Sequence, residues 1–436
     1  MSASRSKLAI LVGGGPAPGI NSVIAAATIR CRLEGVEVLG IRNGFEALMQ
    51  GRIDQVVRLT IEDVSRIHFR GGSQIGTSRA NPTEKPQHLK NVVSALERLG
   101  VDRVITIGGD DTARSSMKLE HRASGRIRVV HVPKTIDNDL DLPMYTDTFG
   151  FQTARHVGVD VVKTLMVDAK TTSRWYFVVA MGRTAGHLAL GIGKAAGATL
   201  TIIPEEFPRP RVKLKKIVDI LASAIIKRLS DGRGYGVAVI AEGLALSIDR
   251  KDIDKLPQLK TAERDAFGHV RLAEVNFGEI LKVQVRLRLK EFLRKVPTIA
   301  DKNIGYELRC ADPIPFDVEY TRDLGYCAAK FLLCGGNAAM VSMQAGEFVP
   351  IQFTQMLDPD TDAARVRRVD IHTMRYAIAR RYMIRLRRDD FSDPARTAKI
   401  AAVARLSVRN FRKQFEYLVA DEPPNVSFHD NAFVMA

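Results

Sequence analysis

Leu8-Ala9-Ile10-Leu11-Val12-Gly13-Gly14-Gly15-Pro16-Ala17-Pro18-Gly19-Ile20-Asn21-Ser22-Val23-Ile24-Ala25 decides the fold class. A short apolar run meets a glycine turn, and residues of helical composition follow, so the stretch reads as strand, turn, helix. Read alone, its glycines serve equally well as a tight strand–helix turn or as a cradle of backbone N–H groups for a phosphate. It is neither G-x-G-x-x-G nor a Walker A loop, since no Lys-Ser/Thr follows the glycines. The pattern repeats downstream. Val36–Ile41 reads as a strand, and Asn91–Leu99 as an amphipathic helix ended by Gly100. Val104–Ile107 runs as a strand into Gly108-Gly109-Asp110-Asp111-Thr112, and Ile127–Val132 into Pro133-Lys134-Thr135-Ile136-Asp137-Asn138-Asp139. Alternating strands and helices, with motifs at strand ends, predict α/β architecture with a doubly wound, mostly parallel sheet.

A second α/β unit then starts. Phe149–Val167 is helical, and Trp175–Ala180 is a strand ending at Met181-Gly182-Arg183. Ala185–Gly197 is a small-residue helix, Thr199–Ile203 a strand, Val212–Leu229 a helix, and Gly236–Ala241 a strand ending at Glu242-Gly243. Leu244–Ala300 is charged and reads as a mostly helical insertion. Thr321–Cys334 is a helix ended by Gly335-Gly336, and Ala338–Met343 a strand. The remainder is basic and helical.

Composition bounds the function classes. The chain has 436 residues, 45% hydrophobic and 26% charged, enough to bury a core without disulfides or structural metal. No apolar run reaches the roughly 18 residues of a membrane span. The Leu8–Val12 run falls short of a ~7–15-residue signal core, so a cytoplasmic location is expected. Four cysteines (Cys31, Cys310, Cys327 and Cys334) lack zinc spacing and are read as buried small hydrophobes. The net charge is +16, and much of it falls in Arg365–Lys413. That stretch reads as the solvated face of C-terminal helices. No zinc finger or RNP-like motif accompanies it, so nucleic-acid binding would rest on net charge alone, and neither nucleic acid nor membrane is expected as a partner.

Two motifs carry chemistry. Adjacent Asp110 and Asp111 at a strand's carboxyl end suit Mg²⁺, which takes oxygen ligands and keeps several waters, while Thr112 is placed to cap the following helix. The alternative is a pair of helix-capping acids. Pro133–Asp139 combines Lys134, Asp137, Asp139, Thr135 and Asn138. A base for the acceptor proton, a cation against transition-state charge and metal-bridged phosphate oxygens are the parts of phosphoryl transfer. A polar surface turn is the plainer reading.

Gly-Gly-Asp-Asp-Thr at 108–112, Pro-Lys-Thr-Ile-Asp-Asn-Asp at 133–139, Gly-Phe-Gln-Thr-Ala at 150–154, Met-Gly-Arg at 181–183, Pro-Glu-Glu at 204–206, Ala-Glu-Gly at 241–243, Gly-Tyr-Glu-Leu-Arg at 305–309 and Asp323-Leu324-Gly325 occur in this order. In order and spacing the sequence resembles the phosphofructokinase family from about Lys7 to about Ser342. The resemblance implies two Rossmann-like domains with the active site in the cleft between them, and phosphoryl transfer to the 1-hydroxyl of fructose 6-phosphate. By that likeness the phosphoryl-donor and Mg²⁺ domain spans 1–148 with 308–370. The sugar-phosphate domain spans 149–307, with an inserted segment near 245–300, and a basic C-terminal extension covers 371–436. Matched residue by residue, Asp137 is the general base, supported by Asp139, and Thr135 touches the acceptor. Asp110 belongs to the Mg²⁺ site, Gly14 and Gly15 to the donor loop, and Arg79 to the transferred phosphoryl. Met181, Gly182, Arg183 and Glu242 line the sugar, and Tyr306 and Arg309 hold its 6-phosphate. Arg174 and Lys302 reach that phosphate from a neighbouring subunit, which implies a homo-oligomer, expected as a homodimer. Pro16 stands where the family usually has aspartate, and Tyr306 where it usually has histidine.

The donor expectation rests on Asp111 and Lys134. ATP-using relatives typically carry glycine at the first position and often at the second. A carboxylate there would meet the nucleotide's α-phosphate. At ~4 Å and an effective dielectric near 20, that repulsion is about 4 kcal/mol, which disfavours ATP by orders of magnitude. Pyrophosphate ends before the clash, and Lys134 offers it a cation. The expected activity is therefore reversible, pyrophosphate-dependent phosphorylation of fructose 6-phosphate, with weak or absent nucleotide control. The alternatives are the ATP-dependent enzyme, a pyrophosphate enzyme that also accepts sedoheptulose 7-phosphate, and an inactive phosphate-binding regulatory subunit.

Overall fold

The computed structural model describes residues 6–143, 146–207, 211–256, 276–356, 365–420 and 422. The strands are β1 (Lys7–Val12), β2 (Glu37–Ile41), β3 (Val56–Leu59), β4 (Val101–Gly108), β5 (Arg128–Pro133), β6 (Arg174–Ala180), β7 (Leu200–Ile202), β8 (Gly236–Ala241), β9 (Thr298–Ile304), β10 (Ala339–Gln344) and β11 (Glu347–Gln352). The chain forms two units, residues 1–157 with 305–367, and residues 158–304 with 368–436.

The first unit is built on a seven-stranded sheet of order β11-β10-β5-β4-β1-β2-β3. Its interior is parallel, and the outer strands β3 and β11 pair antiparallel. β1 is buried along nearly its whole length because helices cover both sheet faces, which is why its sequence is a continuous apolar run. The chain passes from β1 to β2 on one side and returns to β4 on the other. The turns after β1 and β4 therefore flank a topological switch point, where open α/β sheets bind ligands. Register sharpens this: Val12 pairs with Ile107, and Gly108 with Pro133. The glycine turn, Gly108–Thr112 and Pro133–Asp139 thus emerge side by side from three neighbouring strands.

The second unit has a parallel sheet of order β7-β8-β6-β9. Trp175, Phe177, Ile240 and the helix Leu214–Ser230 lie in its core, together with Met383, Leu386, Phe391, Phe411 and Phe415. The C-terminal helices are therefore part of this unit's core rather than a separate extension over 371–436; residues 421 and 423–436 lie outside the described residues.

The same packing corrects the reading of the late basic stretch. Arg385 is buried and ion-paired with Glu206, Arg367 is also buried, and the Lys227 ammonium is buried 2.6 Å from Asp390. Arg381 is solvated as expected. The insertion near 245–300 holds short helices and the helix Phe277–Lys290, but also β9, an edge strand; residues 257–275 lie outside the described residues. Edge exposure leaves β9 with the sequence TIADKNI, which shows no apolar run. Of the cysteines only Cys31 is buried; Cys310 and Cys334 sit exposed at helix ends and Cys327 is intermediate. Among the described residues no helix is long and apolar enough to cross a membrane.

Candidate active site

The three strand ends of the first unit interlock through small residues. Cβ atoms added at Gly13 and Gly108 would come within 2.4 and 2.3 Å of the Thr112 side chain, so both glycines make room for one threonine. Thr112 is a buried packing residue in the first turn of the helix Asp110–Ala123. It is not the expected cap: Gly109 is the N-cap, with no side-chain capping hydrogen bond. Asp110 and Asp111 stand exposed in that first turn, where a helix N-terminus favours anions and negative side chains.

The glycine loop is pinned from a further segment. Gly14 N donates to Ser78 O at 2.8 Å, and Thr77 Oγ1 donates to Gly14 O at 2.7 Å. Arg79 follows, exposed, beside the loop. Gly14 has φ +81°, which strongly favours glycine.

Lys134 crosses this loop. Its side chain is 5% exposed and its Nζ donates to Gly15 O. A Cβ at Gly14 would lie 3.3 Å from that nitrogen. Burial, together with the Arg309 cation, pushes the ammonium down to about 8, against the opposing pull of Asp137, Asp110 and Asp139. Lys134 is therefore a buried cation, and the three carboxylates are electrostatically coupled to it. Arg309, which the resemblance assigns to the 6-phosphate, lies against Gly15, where an added Cβ would come 3.2 Å from its Cζ. The exposed Tyr306 ring sits beneath it, 5.6 Å from Cζ to centroid.

The carboxylate turn is held locally. Asp137 N donates to Thr135 Oγ1 at 3.0 Å, and the same hydroxyl donates to Asp139 Oδ1 at 3.0 Å. Thr135 thus fixes both aspartates relative to each other. Asn138 between them has φ +56° and is buried.

In the second unit, Met181 N donates to Ile304 O at 2.9 Å and Gly182 N to Glu242 Oε2 at 3.2 Å, while Gly243 N donates to Gly182 O at 2.8 Å. Gly182 adopts φ +139°. The turn after β6 and Glu242 after β8 are thereby brought together, with Arg183 exposed. Arg174 is at the other end of β6. Seven residues at ~3.3 Å each separate it from Met181 by roughly 23 Å, so it does not join that turn in its own chain. Lys302 lies exposed on β9, in register with Val178, whereas Arg174 is in register with Thr298.

Among the described residues no group of three or more His, Cys, Asp or Glu forms a ready metal cage. Mg²⁺ does not need one. It is commonly held by one or two carboxylates plus substrate phosphates and water, and an exposed Asp110 at a helix N-terminus next to a glycine loop fits that mode.

Comparisons with known proteins identify the family. The family model Phosphofructokinase matches residues 7–332. The chain belongs to the phosphofructokinase family. A pyrophosphate–fructose 6-phosphate 1-phosphotransferase of Thermotoga maritima is 50% identical over 412 residues, covering 94% of this chain and 98% of that protein. One from Naegleria fowleri is 48% identical over 421 residues, covering 94% and 95%. Among solved structures, the pyrophosphate-dependent phosphofructokinase of Nitrosospira multiformis superposes with a TM-score of 0.66 at 18% identity, covering 87% of this chain and 91% of that one, a likeness of fold. Within the phosphofructokinase fold, Arg367 went unseen in the sequence. It binds the Asn138 carbonyl oxygen of the carboxylate turn across 229 residues of chain.

Proposed function

We propose that this chain is a reversible, pyrophosphate-dependent fructose 6-phosphate 1-phosphotransferase. The observation that carries the reading is Lys134, a buried cation seated on the glycine loop and coupled to Asp110, Asp137 and Asp139. The near-full-length likeness to enzymes of that name supports it.

In this reading the backbone N–H of Gly15 and the Lys134 ammonium bind the donor, which has no adenosine to anchor it, while Gly14, its own N–H held by Ser78 O, shapes the donor loop. Asp110 holds Mg²⁺, which when bound offsets the charge of the phosphate oxygens. Asp137 takes the proton of the sugar's 1-hydroxyl as its oxygen attacks phosphorus, while Thr135 and Asp139 keep the carboxylate oriented. Arg79 stabilises the transferred phosphoryl. Met181, Gly182, Arg183 and Glu242 line the sugar, and Tyr306 and Arg309 carry its 6-phosphate. Asp111, exposed and not engaged as a helix cap, sets a negative charge against a nucleotide's α-phosphate. Exchange of a phosphoanhydride for a phosphate ester of not much lower energy makes the reaction reversible.

The distance of Arg174 from the Met181 turn supports a role in a neighbouring subunit's site and hence a homodimer; Lys302, nearer that turn on β9, is assigned to the same phosphate by the family likeness alone. Arg174→Ala should raise the KM for fructose 6-phosphate about tenfold or more, as loss of a charged hydrogen bond to phosphate does. A fully active monomer in sedimentation at assay concentration contradicts the shared site.

The direct test is turnover in both directions. Purified protein with Mg²⁺ should form fructose 1,6-bisphosphate and phosphate from fructose 6-phosphate and pyrophosphate, and regenerate pyrophosphate in reverse. Activity on neither side, with substrates bound, would favour a regulatory subunit.

A further inference from the structure

The carboxylate turn contains a strained element that its own residues do not explain. Asn138 holds φ +56° between Asp137 and Asp139, a conformation that asparagine tolerates but that needs support. Each polar group of its side chain is engaged. Nδ2 donates to Asp147 Oδ1 at 2.7 Å, and Oδ1 accepts from Thr148 N at 3.0 Å. The remaining partner is Arg367. Its Nη2 donates to Asn138 Oδ1, its Nε to Asn138 O at 3.2 Å, and its Nη1 to Thr146 O at 2.8 Å. Its backbone N donates to Asp139 O at 2.8 Å. One residue thus grips the turn at the side chain and carbonyl of Asn138 and at the carbonyl of Asp139. Arg367 is 9% exposed and belongs to the same unit as the turn. Its planar fork is matched to several acceptors at once, which a lysine's single ammonium is not.

We propose that Arg367 is a positioning residue for phosphoryl transfer: it locks Asn138 in its left-handed conformation and so fixes the direction in which Asp137 presents its carboxylate. Arg367 touches no reacting atom and acts through the turn. The inference rests on the reading of Asp137 as the base.

The test is a double-mutant cycle on the full-length protein, with steady-state kinetics in pyrophosphate and fructose 6-phosphate. Arg367→Lys keeps the charge but loses the fork. It should lower kcat about 100-fold, the scale of an ångström-sized misplacement, with both KM values within about threefold of wild type. In an Asp137→Asn background the same substitution should lower kcat by less than about threefold, because the carboxylate that it orients is already gone. Multiplicative losses in the double mutant, or a kcat near wild type in Arg367→Lys, overturn the proposal. Near-normal kcat in Asp137→Asn alone instead overturns the base assignment, and the proposal falls with it. If Arg367→Lys does not fold, Asn138→Gly replaces it: glycine accepts the backbone conformation and keeps the carbonyl contacts but removes the Oδ1 that Arg367 holds, so a smaller loss of kcat, about tenfold, with the same non-additivity is expected, and a kcat near wild type overturns the proposal.

Discussion

The two candidate substrate ends of this chain are held by opposite means. In the first unit, side chains do the holding: Lys134 spans the glycine loop, Thr135 bridges two aspartates, and Arg367 clamps the turn between them. In the second unit the backbone does it: the turn after β6 is set by amide hydrogen bonds around Gly182, with one carboxylate, Glu242, taking part. The first arrangement concentrates charge in a buried place, where a low dielectric strengthens each interaction. The second fixes a shape and leaves Arg183 exposed for contact. The donor end should therefore answer to charge and pH, and the sugar end to backbone conformation.

The largest break in this contrast comes from Asp137→Asn. Removing the proposed base while keeping the side chain's shape should cut kcat by about 10²–10⁴, with the KM for fructose 6-phosphate changed only a few-fold. Steady-state kinetics in both substrates check it. Gly182→Ala probes the other end. A Cβ at φ +139° is strained by about 1–3 kcal/mol, and the distortion falls on the sugar turn. The KM for fructose 6-phosphate should rise roughly tenfold or more while that for pyrophosphate stays put; an equal rise in both would erase the division between the two ends.

A smaller effect sharpens the electrostatic half. Lys134 has its ammonium lowered to about 8, so it is charged at neutral pH and loses its proton as pH rises through that value. Pyrophosphate affinity should weaken above about pH 8, by up to tenfold per pH unit, and the KM for fructose 6-phosphate should not follow. Lys134→Met should bind pyrophosphate weakly at pH 7 and show a flatter profile. An identical slope in both proteins would remove Lys134 from the donor site.

Much of this was legible in the sequence because the fold writes its key strands as apolar runs and its motifs at their carboxyl ends. β1, β4, β5, β6 and β8 are interior strands covered on both faces, so continuous hydrophobicity marks them. The outer strands β3, β9 and β11 are half exposed and carry mixed residues, and no periodicity exposed them. The candidate carboxylate turn stood out in Pro133–Asp139, with the roles of its residues implied by the family likeness, but its clamp did not. Arg367 stands in a stretch whose arginines read as solvent-facing, and only the folded chain shows which of them are buried. Thr112 was misplaced for a related reason: a threonine after two aspartates suggests a cap, while the glycines that make room for it lie on two different strand ends.

The donor decides the account. The most direct measurement is kcat/KM for pyrophosphate and for ATP, side by side, in the wild type and in Asp111→Gly. The account predicts that the wild type favours pyrophosphate by at least about 100-fold, consistent with a like-charge penalty of a few kcal/mol. It also predicts that Asp111→Gly gains measurable ATP turnover. A wild-type protein that uses ATP as well as pyrophosphate, or an Asp111→Gly variant with the wild-type donor ratio, would contradict it.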